Sequence, residues 1–177
     1  MQSQTSHILV LGAGYAGVLA ALRVAGKTKR LNRTVTLVTP LPHFVKRPRL
    51  HEEATGIPVK KRLLSQMLRG SDVGFVQGWA MVIDTQRQTV LIKNDDSEQA
   101  LPYTHLVVAM GSQVERQQIP GVDEHVYTLD PYGRLTTAAL RTKFTTFDGQ
   151  PFRAVVVGGD ATGVETVTQF RGFYPEA

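Results

Sequence analysis

Residues His7 to Ala25, HILVLGAGYAGVLAALRVA, set an apolar run directly before three glycines and an apolar repeat directly after them. Ile8 to Leu11 are continuously apolar, as in a parallel strand covered on both faces. Val18, Leu19, Leu22 and Ala25 then recur at helical spacing. Between the two lies the pattern G-x-G-x-x-G, made by Gly12, Gly14 and Gly17. In that design the first glycine makes a tight turn, the second lets backbone approach a pyrophosphate, and the third lets the helix pack against the strand. Phosphates would meet the helix's free N–H groups and the positive end of its dipole. Strand, glycines and helix in that order predict a dinucleotide cradle, against the alternative of an empty structural turn.

The following residues extend this into a βαβ unit. Gly26 is placed to end the helix, and Thr34 to Val38 is short, β-branched and apolar, as a second strand requires. An acidic side chain about 20 residues past the glycines usually binds the adenosine ribose. Here that place falls at Thr39, followed by Pro40, so a hydroxyl replaces the carboxylate. Leu41 to Gly56 reads as a loop with a short helix at its end, and such loops line ligand crevices. Arg47, Arg49 and His51 are therefore candidates to face a cofactor, or else belong to a solvated basic loop. Leu63, Leu64, Met67 and Leu68 suggest a helix packed on a core.

Asp72 to Lys93 carries strand-like runs through Val73, Phe75, Trp79, Met81, Val82 and Ile83, then Thr89 to Ile92. They predict a small antiparallel meander, with Asn94 to Gln99 as its polar turn. Leu106 to Ala109, ending at Met110-Gly111, predicts another buried parallel strand. Ile119-Pro120-Gly121 reads as a turn and Tyr132 to Phe144 as a helix.

From Ala154 the opening pattern returns, VVVGGDATGVETVTQF against LVLGAGYAGVLAALRV. Gly158 matches Gly12, Gly163 matches Gly17, and Val155 to Val157 takes the place of the strand. The middle glycine is replaced by Asp160. Two unit charges ~4 Å apart repel by about 4 kcal/mol at an effective dielectric of ~20, so a carboxylate there opposes a pyrophosphate. Only one strand and one helix follow before Ala177, which suggests an incomplete second cradle.

Composition narrows the chemistry. With 42% hydrophobic residues in 177, the chain can bury a core, and no cysteine is present for a disulfide, a thiolate metal site or a redox dithiol. Redox chemistry would have to come from a cofactor. No apolar run approaches the roughly 18 residues of a membrane span, and the start MQSQTSH does not read as a signal peptide, so a cytoplasmic location is expected. The net charge of +5 gathers in basic clusters without aromatic interleaving, which gives nucleic-acid binding little support.

Taken together, GAGYAG, FVKRPRLHEEATG, LPYTHLVVAMGS, IPGV and GGDATGVET resemble the two-dinucleotide-binding flavoproteins. Within them the chain is similar to type II NADH:quinone dehydrogenases and related FAD-dependent pyridine nucleotide oxidoreductases. The resemblance implies an α/β fold: a Rossmann-like FAD-binding domain over residues 1–150, lacking its returning C-terminal segment, and the start of an NAD(P)H-binding domain over residues 151–177. It implies FAD pyrophosphate at Gly12, Ala13, Gly14, Tyr15, Ala16 and Gly17, adenosine ribose by Thr39 and Pro40, adenine near Ala80, and a second FAD contact at Ala109, Met110 and Gly111. Arg47 joins the candidate cofactor contacts. Gly158, Gly159 and Gly163 would belong to the NAD(P)H site, with Glu165 toward the nicotinamide as the candidate catalytic group. The reaction implied passes a hydride from NAD(P)H to flavin and electrons on to a quinone or another small acceptor. Peripheral contact with the inner face of a membrane is left open for an intact form. Asp160 and the early stop also allow a non-catalytic nucleotide-binding fragment or pseudoenzyme, and an open strand at Val155 to Val157 allows a module that docks or forms a homodimer.

Overall fold

The structure, a computed structural model, describes residues 5–116, 119–147 and 150–174; the first four residues of the start read above for a leader lie outside them. β1 (Ser6–Leu11), α1 (Tyr15–Lys27) and β2 (Arg33–Thr39) form the opening βαβ unit. β3 (His43–Phe44), a 3₁₀ turn (Arg47–Arg49), α2 (Leu50–Ala54), β4 (Arg62–Leu63) and α3 (Leu64–Met67) follow. Next come β5 (Val73–Gln77), β6 (Trp79–Asp84), β7 (Thr89–Lys93), β8 (Glu98–Pro102) and β9 (His105–Val108). The last described elements are α4 (Val122–His125), α5 (Thr137–Thr145) and α6 (Ala161–Phe173). They divide into two compact units, Met1–Phe44 with Lys61–Ser112, and Val45–Lys60 with Gln113–Ala177.

The first unit is built on a parallel sheet of order β5-β2-β1-β9. Alternation along the strands sends its apolar side chains to two faces. Val10, Val35 and Leu37 meet Val18, Ala21 and Ala25 of α1, together with Leu64 and Leu68. Leu9, Leu11 and Val38 meet Val90, Ile92 and Tyr103, carried by or next to the antiparallel sheet β6-β7-β8. A sheet covered on both sides is what the continuous apolar run Ile8 to Leu11 requires. Each of the largest fully buried side chains, Leu11 and Leu37 among them, contributes about 1.5–3 kcal/mol relative to exposure.

The Rossmann-like parallel sheet with its helices and the small antiparallel sheet match the fold class expected from the sequence; several local expectations do not hold. Leu19 is exposed, because the face of α1 against the sheet is the small-residue stripe Gly17, Ala21, Ala25 with Val18. Gly26 lies inside α1, whose last turn ends at Thr28; the Thr28 hydroxyl donates to the Val24 carbonyl, and the Arg33 guanidinium donates to the Ala25 carbonyl and to the Thr28 hydroxyl. Val73 to Gln77 pairs in parallel with β2 and not in the meander, where β8 supplies the third strand from residues read partly as a turn. The apolar set at Leu63 to Leu68 is split between a short strand and a single helical turn, which leaves Leu63 exposed. The helix expected from Tyr132 begins at Thr137, where the Thr136 hydroxyl accepts the amide of Ala139.

In the second unit, Phe144 centres an aromatic cluster with Phe152, Phe170 and Tyr174, its ring 4.8 Å from that of Phe170. Val156 packs against this cluster, while Val155 and Val157 are 80% and 82% exposed. The strand expected at Val155 to Val157 is not formed: the segment pairs with no strand among the described residues. A β-strand needs a ladder partner, and an apolar pattern alone does not supply one.

The first glycine turn is packed to its limit. A Cβ on Gly17 would lie 1.8 Å from the Gly12 carbonyl oxygen. Gly17→Ala is therefore expected to lower the unfolding free energy by about 3 kcal/mol, read from urea denaturation, because overpacking must push α1 off the sheet.

Candidate functional site

β1, β2 and β9 run parallel, so Gly12, Thr39 and Ala109 come together at the carboxyl edge of the sheet. The chain leaves β1 for β2 on one side and reaches β9 on the other. The β1/β9 boundary is thus where strand order reverses, the point at which open α/β sheets bind ligands. Backbone bonds lace this edge: Gly12 N donates to Val38 O and Ala109 N donates to Leu11 O, each at 2.8 Å. Gly12 turns at φ +97°, and a Cβ there would lie 2.3 Å from the Ala109 carbonyl oxygen and 2.8 Å from the Met110 Cα. The segment Ala109, Met110, Gly111 therefore rests directly on the first glycine turn.

Gly14 differs from both neighbouring glycines. It is the N-cap of α1 at φ −75° and ψ −169°, extended backbone open to any residue, and a Cβ on it would meet no protein atom within 4 Å. Neither backbone geometry nor packing requires a glycine there. No side chain caps α1, and no acidic residue stands in its first turn. The helix end is left with free N–H donors and a partial positive charge facing open space, the conditions that suit a phosphate. The residues present fit a dinucleotide pyrophosphate.

Around this cradle, Tyr15 and Ala16 are exposed and Ala13 is buried. The Tyr15 ring stands edge-on to Phe44, with centroids 4.9 Å apart, a contact for which the sequence offered no signal. Thr39 is buried at the end of β2 and its carbonyl accepts the Gly78 amide, while Pro40 O accepts from the Gln77 side chain. Ala80 lies on β6 opposite Ile92. Met110 is exposed, and Gly111 takes φ +75°.

The second unit holds the remaining candidates. Arg47 donates to Asp130 at 3.1 Å, and the carboxylate is almost fully buried and also accepts the Tyr132 amide. Asp130 lies 83 residues from Arg47, with no spacing rule to connect them in the sequence. Arg49 pairs with Glu52 on the next turn, 2.7 Å from Nε to Oε1; this hydrogen bond is the largest cause holding the Glu52 carboxyl below the usual range. His51 Nδ1 lies 3.5 Å from a Glu165 oxygen, which joins α2 to α6. Gly159 is exposed. At the start of α6 the Asp160 carboxylate accepts the Gly163 amide at 3.0 Å, so this helix end is capped by its own chain.

A parallel sheet covered by a helix and a meander, with an uncapped glycine turn at its switch point, defines a Rossmann-like α/β protein. The family model for the pyridine nucleotide-disulphide oxidoreductases matches residues 6–176, and the chain belongs to that family. It is 30% identical to human ferroptosis suppressor protein 1 over 99% of the chain and 43% of that protein. It is 25% identical to a type II NADH:quinone oxidoreductase of Staphylococcus aureus, over 99% of the chain and 46% of the relative. The solved structure of NDH2 from Plasmodium falciparum superposes with a TM-score of 0.78 at 23% identity, over 96% of the chain and 37% of that protein. The chain thus spans less than half the length of these proteins.

Arg47→Ala leaves the buried Asp130 carboxylate without its guanidinium. It is expected to destabilise the protein by about 1–3 kcal/mol in thermal or urea unfolding, with no change in the far-ultraviolet spectrum of the folded state.

Proposed function

We propose that this chain is the flavin-holding N-terminal part of an FAD-dependent oxidoreductase. One observation carries the reading: Gly14 is a glycine that neither its backbone nor its neighbours require, at an uncapped helix end on the switch point of the sheet. In this reading Gly12, Ala13, Gly14, Tyr15, Ala16 and Gly17 receive the FAD pyrophosphate. Thr39 and Pro40 serve the adenosine ribose, Ala80 the adenine, and Ala109, Met110 and Gly111 form the second contact. Arg47 is a further candidate contact, held by Asp130. Residues 1–150 are the FAD domain, and residues 151–177 begin the NAD(P)H domain at Gly158, Gly159 and Gly163.

FAD, when bound, supplies hydride acceptance and electron transfer; the protein's part is to bind, orient and exclude. The relatives' names support a reduced nicotinamide as donor and a quinone as acceptor. Glu165, with a carboxylate oxygen 3.5 Å from His51 Nδ1, is the group proposed at the nicotinamide side. No helix among the described residues is long and apolar enough to cross a membrane. A cytoplasmic enzyme, free or resting on the membrane face where a quinone is reached, agrees with that. A non-catalytic flavin-binding fragment is the second reading, and the self-capped helix at Asp160 favours it.

Purified chain reconstituted with FAD is expected to retain the flavin absorbance band. Gly14→Asp places a capping carboxylate on α1 and is expected to weaken FAD binding by at least about tenfold while thermal stability is unchanged or raised. Absence of the band from the unsubstituted chain refutes the reading. Glu165→Gln is expected to slow NADH oxidation with a quinone acceptor by about 100-fold, at the low end for a lost acid–base group, with flavin content unchanged; equal rates remove Glu165 from the chemistry.

A further inference from the structure

The protein uses one backbone turn twice, and the two copies differ in the side chain at their centre. Gly12 and Gly158 both take positive φ, +97° and +128°. A Cβ on Gly17 would lie 1.8 Å from the Gly12 carbonyl oxygen, and one on Gly163 would lie 1.9 Å from that of Gly158. The N-cap residues are nearly superimposable in conformation: Gly14 at φ −75°, ψ −169°, and Asp160 at φ −78°, ψ −179°. Each N-cap carbonyl accepts the amide four residues on, Val18 or Val164, at 3.0 Å. The two helices have the same length, 13 residues. Only the second is capped by a side chain, Asp160 Oδ1 accepting the Gly163 amide.

That amide is the donor which, in the first copy, belongs to Gly17 and is left for a phosphate. A carboxylate oxygen seated on it is acceptor, charge and bulk in the place a pyrophosphate oxygen would take. The residues of the second turn therefore do not fit a dinucleotide as those of the first do. We infer that Asp160 is a built-in substitute for the pyrophosphate, and that it sets a weak affinity for nicotinamide dinucleotides at the second glycine turn. The inference rests on the reading that this turn serves the reductant in a protein whose first turn holds FAD. A dinucleotide must displace the carboxylate from the Gly163 amide and then remain beside its charge. The same side chain that steadies α6 thus opposes the ligand, and position 160 sets the affinity of the second site.

The test titrates NADH by calorimetry into the FAD-reconstituted full chain, unsubstituted and as Asp160→Gly and Asp160→Asn. Glycine is nearly as good a helix cap as aspartate, so α6 stays folded, which circular dichroism checks. Asp160→Gly is expected to bind NADH at least about tenfold more tightly than the unsubstituted chain. Asparagine is as good a cap as aspartate and still occupies the Gly163 amide, but carries no charge; Asp160→Asn is expected to bind NADH more tightly than the unsubstituted chain and less tightly than Asp160→Gly. Equal affinity of the unsubstituted and glycine forms overturns the inference, as does a gain with asparagine as large as with glycine. Flavin retention is read separately from the absorbance band; its loss refutes the FAD assignment, while the affinity difference between Asp160→Gly and the unsubstituted chain at equal flavin content reads the second turn, the first being identical in both.

Discussion

Helix α1 approaches the turn after β1 more closely than any side chain at position 17 would allow, with room for no more than a hydrogen between Gly17 and the Gly12 carbonyl. The rest of the cradle depends on this contact. It seats the small-residue face of α1 on Val10, Val35 and Leu37. It also aims the first turn of the helix along the carboxyl edge of the sheet. Ala109 and Met110 close the same turn from the other side, so two neighbouring strand ends and one helix end converge on a single patch of backbone donors.

Against that fixed frame, Gly14 is informative because it is unconstrained. Gly12 and Gly17 are explained within the protein, one by its positive φ and its neighbours, the other by the helix contact. Gly14 has ordinary backbone angles and open space around its missing Cβ, so the chain's own packing does not require a glycine there. Asp160 supplies the internal control. The same backbone accepts a side chain at the equivalent position, and that side chain takes the donor that the first helix leaves free. Belonging to the pyridine nucleotide-disulphide oxidoreductases fits the first turn directly, while the second departs from its glycine pattern. No cysteine lies within these 177 residues, so no protein dithiol in them can relay electrons.

The second unit shows how charge is arranged away from the sheet. Arg47 and Asp130 form an ion pair between segments far apart in the chain, and His51 and Glu165, also far apart, lie 3.5 Å from each other. Arg49 and Glu52 form a local pair on a short helix. The basic loop read from the sequence as facing either cofactor or solvent is in large part neutralised by partners of its own. Its pairing with Asp130 is costly to break because the acid is buried and the arginine is not.

Periodicity and turn chemistry made the opening βαβ unit, the parallel strand read at Leu106 to Ala109 and the glycine repeat legible in the sequence, because those signals are local; that strand, expected to be buried, spans His105–Val108 and leaves Val108 exposed. Where reading failed, a partner distant in the chain decided the outcome. Val73 to Gln77 joined β2 in place of the meander, Leu19 was left outside by the narrower glycine-alanine face of its helix, and Val155 to Val157 kept the pattern of a strand without a ladder. The sequence by itself determined that two glycine turns exist, that both precede helices, and that only one carries all three glycines. Only the tertiary structure decided what the difference means: Gly14 faces open space at a convergence of strand ends, and Asp160 caps its own helix. Those are facts of three-dimensional proximity, set by packing and hydrogen-bond geometry, which spacing along a chain does not contain.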